Sequence, residues 1–188
     1  FIRNNLLVDE GDPLNELLNN KSINNLRATG LFGSVESKII DTDEDDKKNM
    51  EIIIEEKATG EITAAAGVGT DGSSFSLGIK ENNFNGEGIT LETNLSLSED
   101  AIRGIIAYSH PNFAYSDREL TTSLQSTVED KLKDFGYKST MNRVSLGTMY
   151  EQFDDLYFSP SLSISSESID TNSTASAAYK KQDGSYFD

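Results

Sequence analysis

Hydrophobic residues recur along this 188-residue chain with two different periods. Up to residue 30 the spacing is helical. Asp12 and Pro13 form a helix start, with Asp as the N-cap and Pro at the first helical position. Leu14, Leu17 and Leu18 follow on one face and Leu26 roughly rejoins them, while Ile23 falls on the far side. Gly30 supplies a left-handed stop. Two strands are predicted next, over residues 34–40 and 50–55, the second with Met50, Ile52 and Ile54 alternating. The acidic run between them, 41–48, reads as a solvated hairpin turn, because charge blocks between strands face solvent.

Beyond Gly60 the period becomes two. Ile62, Ala64, Ala66 and Val68 alternate with smaller or polar residues, and Phe75, Leu77 and Ile79 do the same after a turn at Thr70-Asp71-Gly72-Ser73. Ile89, Leu91, Thr93, Leu95 and Leu97 face one way, and Thr90, Glu92, Asn94 and Ser96 the other. Later sets are Ile102, Ile106 and Tyr108; Leu120, Leu124 and Val128; Val144, Leu146, Thr148 and Tyr150; and Phe158, Leu162 and Ile164. A weaker eighth segment runs over 174–179.

Segment length decides what this alternation means. Strands of soluble proteins centre on about 5–6 residues, whereas a tilted membrane strand needs about 9–11. The segments 89–98, 119–129, 141–151 and 157–169 all reach the longer class. One stripe is apolar and the opposite one is Ser, Thr, Asn and Glu, the pattern of a barrel with a wet lumen. Phe84, Tyr108, Phe113, Tyr115, Tyr137, Tyr157 and Phe158 lie near segment ends, as interfacial girdles do. The connections lengthen on one side only. A soluble β-sandwich of long strands is the competing architecture, and the polar second face argues against it.

Charge and rare residues narrow the chemistry. With 16 basic and 32 acidic residues the net charge is −16, which argues against nucleic acid and against docking on an anionic lipid surface. Absent cysteine excludes disulfides, a thiol nucleophile and zinc-thiolate sites, and a single histidine excludes a multi-histidine metal site. No run of 18 apolar residues is present, which leaves membrane β-barrels untouched. The chain starts inside an apolar segment at Phe1 and closes in a turn near Asp188, so it reads as an internal fragment of a longer protein.

Four motifs yield to plainer readings. The acidic run fails as an EF-hand loop from Asp41, whose sixth and twelfth positions hold Asp46 and Ile52 in place of Gly and Glu. Gly67-Val68-Gly69-Thr70-Asp71-Gly72 matches G-x-G-x-x-G, with Glu92 about twenty residues on, but the alternating residues after it cannot supply the helix that holds a pyrophosphate. His110, beside Ser109, lacks a converging nucleophile–base–acid set and reads as a strand end. Asn172-Ser173-Thr174 is an accidental sequon.

Three segments, in order, carry a family resemblance. Ile2-Arg3 through Glu10-Gly11-Asp12, then Ser22-Ile23-Asn24-Asn25-Leu26 and Leu31-Phe32, is similar to the helical part of a POTRA domain without its first strand. Glu56-Lys57-Ala58-Thr59-Gly60 resembles that domain's last strand leading into a barrel. Gly67-Val68-Gly69-Thr70, followed by Gly78, Glu81, Asn82, Asn83, Phe84, Gly86 and Gly88, is similar to the first barrel hairpin and is the most specific match. Ser109-His110-Pro111-Asn112-Phe113 also fits. The chain thus resembles the BamA family of POTRA-plus-barrel outer-membrane assembly factors.

The resemblance implies an incomplete α+β POTRA module over 1–57, in the periplasm. Residues 58–188 would be the N-terminal strands of a transmembrane antiparallel β-barrel, not closed in this fragment. It implies a non-catalytic factor that inserts nascent outer-membrane proteins without cofactor or metal. Partners would be those client proteins, accessory lipoproteins and outer-membrane lipid, with no nucleic acid. In the family a client's terminal strand adds to the edge of the first barrel strand; carried over, that edge is Ile62, Thr63, Ala64, Ala65, Ala66, Gly67, Val68 and Gly69. Small side chains there give little packing to lock a seam. The alternatives are a two-partner-type secretion translocator and a soluble β-sandwich binding module.

Overall fold

Asn15, three residues beyond the expected Asp12, caps the first helix. Its Oδ1 accepts from the N–H groups of Leu17 and Leu18 at 3.0 and 3.1 Å, and helix α1 runs Glu16–Ala28. Asp12 instead accepts the N–H of Asp9 within a preceding turn. The buried stripe is also not the leucine one. Asn19, Ser22, Ile23 and Leu26 face inward at helical spacing, while Leu14 and Leu17 are exposed. Two buried polar residues displaced the apolar reading because each is satisfied: Ser22 Oγ accepts from Leu7 N–H and donates to the Leu18 carbonyl, and Asn19 Nδ2 donates to Ser37 Oγ. Gly30 ends the helix at φ +68°, as the sequence predicts.

In this computed structural model, which describes residues 1–44, 46–69 and 72–188, the chain divides into two units. Phe1–Thr59 together with Asn85–Gly88 form the first. In it, strands β1 (Phe32–Asp41) and β2 (Lys48–Glu56) pair antiparallel, and α1 packs on their inner face through Ile23, Leu26 and Val35, flanked by Ile52 and Ile54. Arg27 ties the helix end to β1 by donating twice to the Val35 carbonyl, at 3.0 and 2.6 Å. One helix on a two-stranded sheet does not by itself make a POTRA module evident. Lys48 pairs with Asp41 across the acidic turn, and Asp45 of that run lies outside the described residues.

The second unit is Gly60–Phe84 with Ile89–Asp188. Its strands are β3 (Gly60–Gly69), β4 (Gly72–Phe84), β5 (Ile89–Ser98), β6 (Ala101–His110), β7 (Glu119–Lys131), β8 (Tyr137–Phe153), β9 (Leu156–Phe158), β10 (Ser161–Thr171) and β11 (Gly184–Phe187). They form one antiparallel sheet in the order β11-β10-β8-β7-β6-β5-β4-β3, with β9 pairing β8 off that path. Apart from β10, which pairs with β8 past the short β9, adjacent strands are neighbours in sequence, so these pairings form by simple reversal of the chain. The sheet is not closed. Thr70 and Asp71, part of a predicted turn, lie outside the described residues.

Three expectations need correction. The predicted segment 157–169 is split into β9 and β10 at Ser159-Pro160, where proline has no N–H for the ladder. Residues 174–179 are not a strand: a turn leads into the short helix α2 (Ala177–Lys180), capped by Ser176 Oγ. Long connections occur at both ends of the sheet, 111–118 at one and 172–183 at the other.

Register sorts the side chains. Ile62, Ile79, Thr93, Ile106, Leu124, Val144 and Ile164 lie opposite one another in turn across seven strands. Opposed residues share a face, so this row and its i±2 neighbours make one apolar face. The row Glu61, Lys80, Glu92, Ala107, Ser123, Ser145 and Ser163 runs along the other. Burial is inverted relative to a soluble sheet. Val68 is 88% exposed and Leu162 68%, whereas Thr127 on the polar face is 9% exposed. Strands pack edge to edge with their neighbours, and among the described residues no second layer covers the apolar face.

The apolar band also drifts against the register. It spans Ile62–Val68 on β3 and Phe75–Ile79 on β4, but sits toward Val144–Tyr150 on β8, beyond the residues that register would place opposite. The shift is about one residue per strand. With strand spacing near 4.8 Å and a rise near 3.4 Å per residue, a level band needs strands tilted by about 35°, within the range of membrane barrels.

Candidate functional site: the open sheet edge

All eight residues expected to form the pairing edge fall on β3, the terminal strand of the sheet. β3 pairs with β4 along one side, and among the described residues it has no strand on the other. Every residue from Gly60 to Gly69 is exposed. Ile62, Ala64, Ala66 and Val68 point to the apolar face, and Thr63, Ala65, Gly67 and Gly69 to the polar one. An edge strand carries a row of backbone N–H and C=O groups free to pair with an incoming strand. Three alanines and Gly67 in succession, with Gly69 beyond Val68, leave that approach sterically open.

The family-motif residues lie on the adjoining strand and the turn after it, and each has a local reason. Gly78 is buried in β4, where a Cβ would meet Thr63 Oγ1 at 2.5 Å and Asn94 Nδ2 at 3.2 Å. Glu81 Oε1 accepts the N–H of Asn83 at 2.8 Å, inside a register shift between Glu81 and Phe84. Asn82 Nδ2 donates to Glu61 Oε1 at 2.8 Å, so the motif touches the edge strand directly. Phe84 pairs with Ile89, and Gly86 and Gly88 have φ +75° and +70°, which only glycine adopts without strain. The motif encodes a bulge and a left-handed reversal.

No helix follows Gly72; β4 begins there. Ser109 and His110 point to opposite faces of β6, and Ser109 Oγ donates to Glu119 at 2.6 Å. The Asn172 side chain is engaged: Nδ2 donates to the Leu132 carbonyl, and Oδ1 accepts from Thr174. Among the described residues no group of three or more His, Asp or Glu is placed to hold a metal, and no helix is long and apolar enough to cross a membrane.

The closing segment, read as a turn with the beginning of another element, forms β11, only 4 residues long and terminal in the sheet among the described residues. One feature escaped the sequence. The connection 111–118 holds three non-glycine residues at positive φ, of which Ala114 and Tyr115 are types that carry no turn signature.

No family model and no curated protein matches the sequence. Among solved structures, 47 chains match. One is the crystal structure of BamA from Haemophilus ducreyi lacking POTRA domains 1–3, with TM-score 0.79 and 22% identity over 90% of this chain. The second unit has a BamA-like β-barrel fold. This chain spans 33% of the BamA chain it matches. At that identity the likeness to BamA is one of fold.

Proposed function

We propose that the chain is part of an outer-membrane assembly factor, in which β3 is the edge that pairs with the terminal strand of a client barrel. The observation that carries this reading is the open edge itself: a ten-residue strand of mostly small side chains, terminal in an antiparallel sheet of BamA-like fold whose apolar face is uncovered. In hydrocarbon, unpaired peptide groups cost several kcal/mol each until a strand satisfies them, which drives a client strand onto β3. Poor side-chain packing at the seam lets the partner be exchanged.

In this reading the first unit is the remainder of the last POTRA module and lies in the periplasm, leading through Lys57-Ala58-Thr59 into β3. The work done is strand templating without bond chemistry, cofactor or metal. Accessory lipoproteins and outer-membrane lipid are the remaining partners.

Single cysteines at Ala64 and Ala66 in the full-length protein should crosslink to the terminal strand of a client trapped during insertion. Crosslinks found only at Leu124 or Leu146, in the interior of the sheet, would reject β3 as the edge.

A further inference from the structure

One register row interrupts the apolar face of the second unit. Leu95, Gly104, Ser126, Asn142, Ser166 and Phe187 lie opposite one another in turn from β5 to β11. The interruption is not at the strand ends. Gly104 sits between Ile102 and Ile106 on its face of β6, and Ser126 between Leu124 and Val128 on β7. Nothing lies within 4 Å of the point a Gly104 Cβ would occupy. With that side chain missing and small serines in the same row, the surface sinks into a cleft of about 670 Å³, walled by Ile106, Leu124 and Val144 and reaching Phe187. Small-molecule sites span about 300–1,000 Å³.

What this cleft leaves unmet is a hydrogen-bond donor. Ser126 Oγ donates to Asn142 Oδ1 at 2.9 Å, which occupies the oxygen end of the amide and leaves Nδ2 over. Among the described residues no acceptor takes the Nδ2 hydrogens. An amide donor without an acceptor is costly in hydrocarbon, so the occupant of the cleft has to bring one. A second membrane-spanning strand or helix offers none from its backbone, whose carbonyls are already paired. The ester carbonyl of a glycerophospholipid is an acceptor joined directly to an acyl chain. Arg143, the one charged residue bordering the cleft, points to the polar face in the row of Gln125, so no cation awaits an anionic headgroup.

We propose that the cleft binds one neutral-headed glycerophospholipid, its ester carbonyl accepting from Asn142 Nδ2 and its acyl chain lying against Ile106, Leu124 and Val144. The inference rests on the membrane reading above and assigns a lipid site away from both the pairing edge and the aromatic strand ends.

The test uses the full-length protein in micelles holding equal amounts of a diester phosphatidylcholine and its dialkyl ether analogue, which lacks the carbonyls. Native mass spectrometry counts the lipid retained. The diester should be retained about fivefold over the ether, the worth of one neutral hydrogen bond. Asn142→Leu should erase that preference, and Gly104→Leu, which fills the cleft, should lower retention of both lipids. Thr148→Leu, elsewhere on the apolar face of β8, should change neither. Equal retention of the two lipids by the unaltered protein, or an ester preference that survives Asn142→Leu, would overturn the site. So would preferential retention of phosphatidylglycerol, or a second protein chain bound in place of lipid. Protease protection of the full-length protein in vesicles reads insertion separately: an inserted protein without the ester preference leaves the membrane reading standing, and a protein that does not insert overturns both.

Discussion

Thr63 Oγ1 stands 2.5 Å from the point a Cβ on Gly78 would occupy. Across this contact the edge strand leans its hydroxyl onto bare backbone of β4, with Asn94 Nδ2 of β5 3.2 Å from the same point. Thr63 and Asn94 therefore fill the space that a side chain at position 78 would need.

Gly78→Ala should loosen the pairing of β3 with β4. Overpacking of this kind costs about 1–3 kcal/mol, read as a lowered unfolding midpoint in detergent. Combining it with Thr63→Ala, which removes the obstructing oxygen, should restore most of the loss. A double variant no better than Gly78→Ala alone would show that Thr63 is not the obstacle.

The two faces should respond differently to charge. Leu95 and Asn94 are adjacent on β5 and point to opposite faces. Leu95→Arg should destabilise the chain in bilayers by about 2–4 kcal/mol, the mid-membrane value for a lipid-facing position, while Asn94→Arg should be mild. Equilibrium unfolding from vesicles measures both.

How much of this was legible in the chain depended on whether neighbours or distant residues set each feature. The strands of the second unit followed from period two and segment length, because their register is fixed by simple reversals between sequence neighbours; β5 runs Ile89–Ser98, as its alternation indicates. The edge was legible only through family resemblance, since nothing in Ile62–Val68 says which strand lacks a partner. The helix face was misread because Asn19 and Ser22 are buried by partners at Ser37 and Leu7, distant in sequence. Segment 174–179 carried a strand-like pattern that Ser176 overrode by capping a helix.

The first unit's small core makes a separate prediction. Leu26 is fully buried between Ile23 and Val35. Leu26→Ala should cost about 2–5 kcal/mol and Asn15→Ala, which removes the true cap, about 1 kcal/mol. Asp12→Ala should have much less effect on helix content. Hydrogen exchange of the α1 amides distinguishes the three.

Two positions with similar backbone should respond in opposite directions. Ala114→Gly removes left-handed strain and should stabilise by up to about 1 kcal/mol. Gly136→Ala adds strain at φ +77° and drives a Cβ to 2.5 Å from the Ala175 backbone nitrogen, so it should destabilise by more than that. Thermal unfolding in one detergent compares them.

The most direct measurement scans spin labels one at a time along β7, from Leu120 to Val128, in bilayers, and records collisions with oxygen and with a water-soluble nickel chelate. The account predicts a period of two: oxygen contact at Leu120, Thr122, Leu124, Ser126 and Val128, and nickel contact at Thr121, Ser123, Gln125 and Thr127. Even positions shielded from both reagents would mean that the apolar face lies under another protein layer, and would contradict a lipid-facing sheet.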